Sequence, residues 1–283
     1  MAQTEIHFKD IKTEDLVRWA LQEDLPFGDV TTEGLGLTQK SGRAVLRAKE
    51  DLILSGRELF EQTFRQGAPR TQQNWFFKDG QKLLKGQNVC SLEGNLVEML
   101  KAERVALNFL GPLSGIATLT RKFVEEVYPL ETKILDTRKT LPLYRNFAKK
   151  AVRDGGGHNH RMNLSDSIMI KDNHISMIGS LERAIEILRR ETSKPIIVEV
   201  RTLDEVQRAA KMDVQRLLLD NMNIEMMKKA MECIPSNIET EASGNMTVDR
   251  VRSVAETGVT YISVGALTHS APSADFSLLF DWV

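Results

Sequence analysis

The chain has 283 residues, 41% of them hydrophobic and 27% charged, with 38 Lys and Arg against 39 Asp and Glu for a formal net charge of -1. That balance removes the electrostatic basis for a general nucleic-acid or anionic-membrane binder, and the composition excludes disordered, collagen-like and low-complexity classes. Its length suffices for a large core split into two domains.

The first residues, Met1 to Asp10, are polar and carry acids, with neither a basic nor an apolar leader segment, so a cytoplasmic protein is expected. Cys90 and Cys233 have no CxxC spacing and read as reduced, buried thiols. No apolar run approaches the ~18 residues of a membrane-spanning helix. Leu16, Val17, Ala20 and Leu21 recur at helical spacing after Thr13, a suitable N-cap, and predict a helix over 14–23. Short alternating runs over 43–48, 51–54, 74–77 and 88–92, punctuated by glycines, predict strands and tight turns. A further helix is expected from Leu96 to Leu110, ending at Gly111-Pro112, which is taken as the domain boundary.

Beyond that boundary, helical stretches alternate with brief apolar runs. Six runs close at Asp136, Lys171, Glu199, Asp220, Ser243-Gly244 and Gly265, spaced 21 to 35 residues apart. That is the length of a strand-helix unit, because a parallel strand needs a crossover to return. Six strands rather than eight predict an incomplete (β/α) barrel, with an open doubly wound sheet as the alternative. Barrels carry their chemistry at the C-terminal ends of the strands, and these ends hold cations, carboxylates and small-residue loops.

Two cations follow the first of these strands in Asp136-Thr137-Arg138-Lys139-Thr140, where Arg can grip an anion bidentately and Lys adds a point charge. Gly155-Gly156-Gly157-His158-Asn159-His160-Arg161 allows close backbone approach and supplies a second planar cation. Lys171 suits either a Schiff-base nucleophile or an electrostatic contact. His158, His160 and His174 with Asp166 and Asp172 offer a competing metal reading, but no HExxH-type spacing supports it. Glu199 and Asp220 suit sugar hydroxyls or a divalent cation, and the loops at Ser243-Gly244-Asn245 and Val264-Gly265-Ala266 suit a phosphate. Residues 136–171 carry eight Lys or Arg against three acids, a local surplus that the near-neutral total conceals.

Together DTRKT (136–140), GGGHNHR (155–161), IKDNH (170–174), VEV (198–200), LDN (219–221), EASG (241–244) and VGALTH (264–269) resemble the quinolinate phosphoribosyltransferase family. Glu23-Asp24 with GDVTT (28–32), and Glu103-Arg104 with Leu107-Asn108, match its N-terminal signatures. The resemblance implies an N-terminal α/β sandwich over 1–111, joined by the segment 271–283, and an incomplete α/β barrel over 112–270. It implies transfer of phosphoribosyl from phosphoribosyl pyrophosphate to quinolinate with decarboxylation, as a step of NAD biosynthesis. By motif position it assigns Thr137, Arg138, Lys139, His160, Arg161 and Lys171 to the quinolinate carboxylates. Glu199 and Asp220 go to the ribose and an Mg2+-bound diphosphate, and Ser243, Gly244, Asn245, Val264, Gly265 and Ala266 to phosphate. Lys139, Lys171, Glu199 and Asp220 are the implied catalytic groups. A homodimer is implied in which Arg104 reaches the partner's site, with a homohexamer as the larger form. Asn245 stands where the family pattern has glycine. A paralogue of the same fold associated with molybdate transport, and a non-catalytic metabolite-binding relative, are the remaining alternatives.

Overall fold

The computed structural model describes residues 12–36 and 40–281, so Met1–Asp10 lies outside the described residues. These residues fall into two compact units, one running to Thr118 and resuming at Pro272, the other covering Leu119–Ala271.

In chain order the first unit opens with α1 (Thr13–Asp24), α2 (Val30–Gly34), β1 (Ser41–Ala48), β2 (Leu52–Ile53) and α3 (Arg57–Gly67). Next come β3 (Gln72–Trp75), β4 (Lys82–Leu83), β5 (Asn88–Asn95) and the 32-residue α4 (Leu96–Val127). The second unit contains β6 (Lys133–Leu135), α5 (Arg145–Asp154), β7 (Ile168–Ile170), α6 (Asp172–Ile178), α7 (Leu181–Glu191), β8 (Ile196–Val200) and α8 (Leu203–Ala209). It continues with β9 (Arg216–Asp220), α9 (Ile224–Cys233), β10 (Glu239–Ser243), α10 (Val248–Ala255), β11 (Tyr261–Ser263) and α11 (Ala266–His269), after which β12 (Phe276–Asp281) rejoins the first unit.

The first unit is built on an antiparallel sheet ordered β12-β1-β5-β3. Ala44, Leu46 and Ala48 alternate onto its buried face against Phe60 and Phe64 of α3 and Leu96 and Met99 of α4. Three local expectations are corrected here. Lys12, not Thr13, caps α1, and the Thr13 hydroxyl instead donates to Glu58 Oε1 at 2.7 Å. Residues 57–67 form a helix where strands and turns were expected. Leu59, Phe60, Thr63 and Phe64 share one buried helical face, and Gly56, read as a hairpin glycine, begins the helix at φ +100°. Finally, α4 does not end at Gly111-Pro112. Pro112 deprives only the Asn108 carbonyl of its donor, and Asn108 is exposed to water. The glycine serves packing rather than a turn: the Gly111 carbonyl accepts from Ala274 N at 3.0 Å, and a Cβ on Gly115 would stand 1.9 Å from Pro272 O.

The second unit confirms all six strand runs. They form one parallel sheet ordered β6-β11-β10-β9-β8-β7, each strand joined to the next through helices. Among the described residues β6 and β7 do not pair with each other; besides its ladder with β11, β6 makes a parallel bridge from Leu135 to His158. The second unit is therefore an incomplete barrel, and the first an α/β sandwich. The barrel strands are buried runs, all five residues of β8 among them, as expected for parallel strands covered on both faces. Ladder register sets Ser243 beside Asp220 and Glu199 beside Leu218, which brings the chemically active ends of β8, β9 and β10 together.

Candidate active site

A cavity of about 860 Å³ opens among the strand ends of the second unit. Thirteen of the fifteen residues expected in the site line it; Arg104 and Val264 do not. Arg104 is exposed on α4, while Val264 is buried with its N–H committed to Leu135 O at 2.9 Å.

One wall is cationic. Arg138, Lys139, Arg161 and Lys171 all face the cavity, and Arg138 Nε is buried with no hydrogen-bond partner, a donor set waiting for an acceptor. Burial, and then the charge of Arg138, lowers the Arg161 guanidinium below its usual value. Arg161 is aimed by a bond to Ser167 O at 3.2 Å. The loop that carries it rests on a pair absent from the sequence reading. Lys149 of α5 and Asp136 are both fully buried and bonded to each other. Asp136 also accepts from His160 N at 2.8 Å and from Asn159 Nδ2, and Lys149 donates to His160 O at 2.9 Å. Burial drives the Asp136 carboxyl up and the Lys149 ammonium down, and each partner opposes the shift of the other.

His160 is held through one ring nitrogen. Nδ1 accepts from Arg161 N at 2.7 Å, so the ring proton sits on Nε2. Nε2 lies 3.2 Å from Glu241 Oε2, near enough for an electrostatic contact but off the line of a hydrogen bond. Nε2 makes no hydrogen bond, and His160 lines the cavity together with Arg161, where the sequence placed it. Burial alone would raise Glu241, but His160 and Arg216 outweigh it and hold the carboxyl below its ordinary value.

An acidic part of the lining adjoins Lys171 and has its own cation. Lys171 Nζ contacts Glu199 Oε2 at 2.7 Å. Arg201 bridges Asp172 at 2.6 Å with Glu199 and Asp220, each at 3.2 Å. Arg201 escaped the sequence reading although it follows the VEV run directly, at a strand-end position of the same kind as Lys171. At the small-residue loops, Gly244 adopts φ +100° and Asn245 φ +48°, a left-handed conformation that asparagine tolerates in place of the glycine. A Cβ on Gly244 would lie 2.1 Å from Asn221 Oδ1. Arg250 braces this loop by donating to Gly244 O at 3.0 Å and Met222 O at 2.9 Å, another contact not foreseen.

Residues 29–114 match the family model for the quinolinate phosphoribosyl transferase N-terminal domain and residues 116–279 that for its C-terminal domain. The chain is 40% identical over 289 residues to the mitochondrial decarboxylating quinolinate phosphoribosyltransferase 2b of Nicotiana tabacum, covering 95% of this chain and 82% of that protein. It is 41% identical to the chloroplastic carboxylating nicotinate-nucleotide pyrophosphorylase of Oryza sativa, with coverages of 94% and 77%. Among solved structures, the nicotinate-nucleotide pyrophosphorylase of Francisella tularensis superposes with a TM-score of 0.92 at 36% identity, covering 95% of this chain and 96% of that one. On these matches the chain belongs to the quinolinate phosphoribosyltransferase family.

Proposed function

We propose that the chain transfers the phosphoribosyl group of phosphoribosyl pyrophosphate to the ring nitrogen of quinolinate and releases pyrophosphate, CO2 and nicotinate mononucleotide, a step of NAD biosynthesis. The observation that carries this reading is the convergence of Arg138, Lys139, Arg161 and Lys171 on one cavity with Glu199 and Asp220. Quinolinate is a dianion, and taking it out of water without paired cations would cost many kcal/mol.

The cation wall holds the two carboxylates and fixes the ring with its nitrogen toward the sugar. Glu199 and Asp220 hold the ribose hydroxyls and offset positive charge at C1 as the bond to pyrophosphate breaks. The nitrogen lone pair forms the new bond to C1. The quaternised ring then accepts the electron pair of the breaking bond to the 2-carboxylate, CO2 leaves, and a proton from water completes the ring carbon. Ser243, Gly244, Asn245, Gly265 and Ala266 offer loop amides to the 5-phosphate.

Magnesium fits the carboxylate wall as a substrate-borne ion. Two carboxylates suit a hard cation that draws its remaining oxygens from phosphates and water, and no group of three or more metal-binding side chains stands together among the described residues. Glu199 and Asp220 would hold it, and it would neutralise charge on the departing pyrophosphate. A homodimer or homohexamer belongs to the proposal, supported by the exposed Arg104 and by exposed Phe27, Val30 and Leu35. So does a cytoplasmic location, supported by the free thiol of Cys233, which is exposed where a buried one was expected, although the tobacco and rice relatives are named as organellar. No helix among the described residues is long and apolar enough to cross a membrane.

The test is turnover of quinolinate with phosphoribosyl pyrophosphate and Mg2+, following nicotinate mononucleotide and CO2. Absence of turnover, or equal turnover of nicotinate, overturns the assignment. Arg161→Ala should abolish quinolinate binding. Mixing inactive Arg104→Ala and Lys171→Ala chains should restore activity if sites are shared between subunits.

A further inference from the structure

Behind the cation wall lies a fully buried carboxylate, Glu241, on β10. An anion-binding cavity with a bare carboxylate in its floor would repel its own ligand. Arg216, at the start of β9, reaches Glu241 Oε2 with NH1 at 3.1 Å. Arg216 also grips Glu239 Oε2 through Nε at 3.0 Å and NH2 at 2.8 Å, and its guanidinium lies 3.9 Å from the centre of the Tyr261 ring. Tyr261 closes the chain by donating to Glu239 Oε1 at 2.8 Å. Arg216 does not line the substrate cavity. It lines a separate cavity of about 540 Å³ together with Pro195, Gln215 and Asn237, which precede β8, β9 and β10 at the opposite ends of the strands. His160 and Arg161 border both cavities, so the line His160–Glu241–Arg216 runs between the two ends of the barrel.

We propose that Arg216 is a positioning residue for anion binding: from the far end of the barrel it neutralises Glu241, so that the charge of Arg138 and Arg161 stays available to the substrate. This inference rests on the functional reading above. Its signature is the sign of a double substitution. Removing Arg216 unmasks the Glu241 charge beneath the clamp, and removing Glu241 as well takes that charge away. A purely structural role predicts that the second substitution adds damage.

The experiment is isothermal titration of quinolinate into the whole chain without phosphoribosyl pyrophosphate. Arg216→Gln should bind about tenfold more weakly, the size of one poorly screened charge near the site. Arg216→Lys should stay within about threefold of the wild type, because it keeps the charge. The double variant Arg216→Gln/Glu241→Gln should recover most of the loss, and Glu241→Gln alone should bind more tightly than the wild type. In steady state the change should fall on KM for quinolinate and leave KM for phosphoribosyl pyrophosphate in place. Unchanged binding by Arg216→Gln, or a double variant weaker than Arg216→Gln, overturns the inference. Should Arg216→Gln fail to fold, Glu241→Gln decides, since unchanged or weaker binding overturns it. A wild type that does not bind quinolinate overturns the functional reading, and the inference with it.

Discussion

Lys149→Met tests whether the loop carrying His160 and Arg161 hangs on a buried ion pair. The substitution keeps the side-chain length and removes the charge, leaving Asp136 with no exposed surface and two remaining donors, His160 N and Asn159 Nδ2. Removing one partner of a buried pair costs about 3–5 kcal/mol. The surviving donors pull this case toward the lower end, and the loss of a donor at His160 O adds about 1 kcal/mol. The expected loss is therefore about 4 kcal/mol, read as the shift in urea unfolding at pH 7. The sign of its pH dependence is fixed as well. Burial already raises the Asp136 carboxyl, and without Lys149 it rises further, so the folded variant holds a proton that the unfolded chain releases above the ordinary carboxylate value. The stability deficit should be full at neutral pH and shrink as the pH falls through the raised Asp136 value toward 3.8. A loss below about 1 kcal/mol, or a deficit that grows on acidification, would refute the account.

Gly244→Ala should lower the affinity for phosphoribosyl pyrophosphate at least about tenfold, because its Cβ meets Asn221 Oδ1 at 2.1 Å and its φ is +100°; an unchanged KM for that substrate would contradict the phosphate-loop assignment. Gly115→Ala should cost about 3 kcal/mol or more in unfolding experiments, since its Cβ would strike the Pro272 carbonyl, whereas Gly34→Ala, in open space, should change little; equal effects would show that the return segment does not press on α4. In the native state one thiol should react with a disulfide reagent at pH 8 and a second only after denaturation. Cys233 is exposed, while burial pushes Cys90 up to about 12; two fast equivalents would place Cys90 within reach of solvent.

What the sequence made legible follows from what each feature depends on. The six barrel strands were readable because a parallel strand buried on both faces is an unbroken apolar run, and such a run must stop where its next residue meets water. Lys171 and Asp220 mark such stops, whereas Glu199 is itself buried within β8. The continuation of α4 was not readable, because whether a helix survives proline depends on where the freed carbonyl points. The use of Gly111 and Gly115 depends on a segment about 160 residues later in the chain. The same limit governs the cations that were missed. Arg201 meets Asp220 between β8 and β9, and Arg216 meets Glu241 between β9 and β10, so both pairings depend on register. In a parallel sheet a slip of one residue turns each side chain to the other face, and nothing local to Arg216 sets that register. Motifs therefore located the groups that line the cavity, which sit at strand ends whatever the register. They could not locate the groups that balance charge behind them. Those groups have one requirement, a partner at a fixed place in the folded sheet, and a chain position such as 216 acquires it only once β9 lies beside β10.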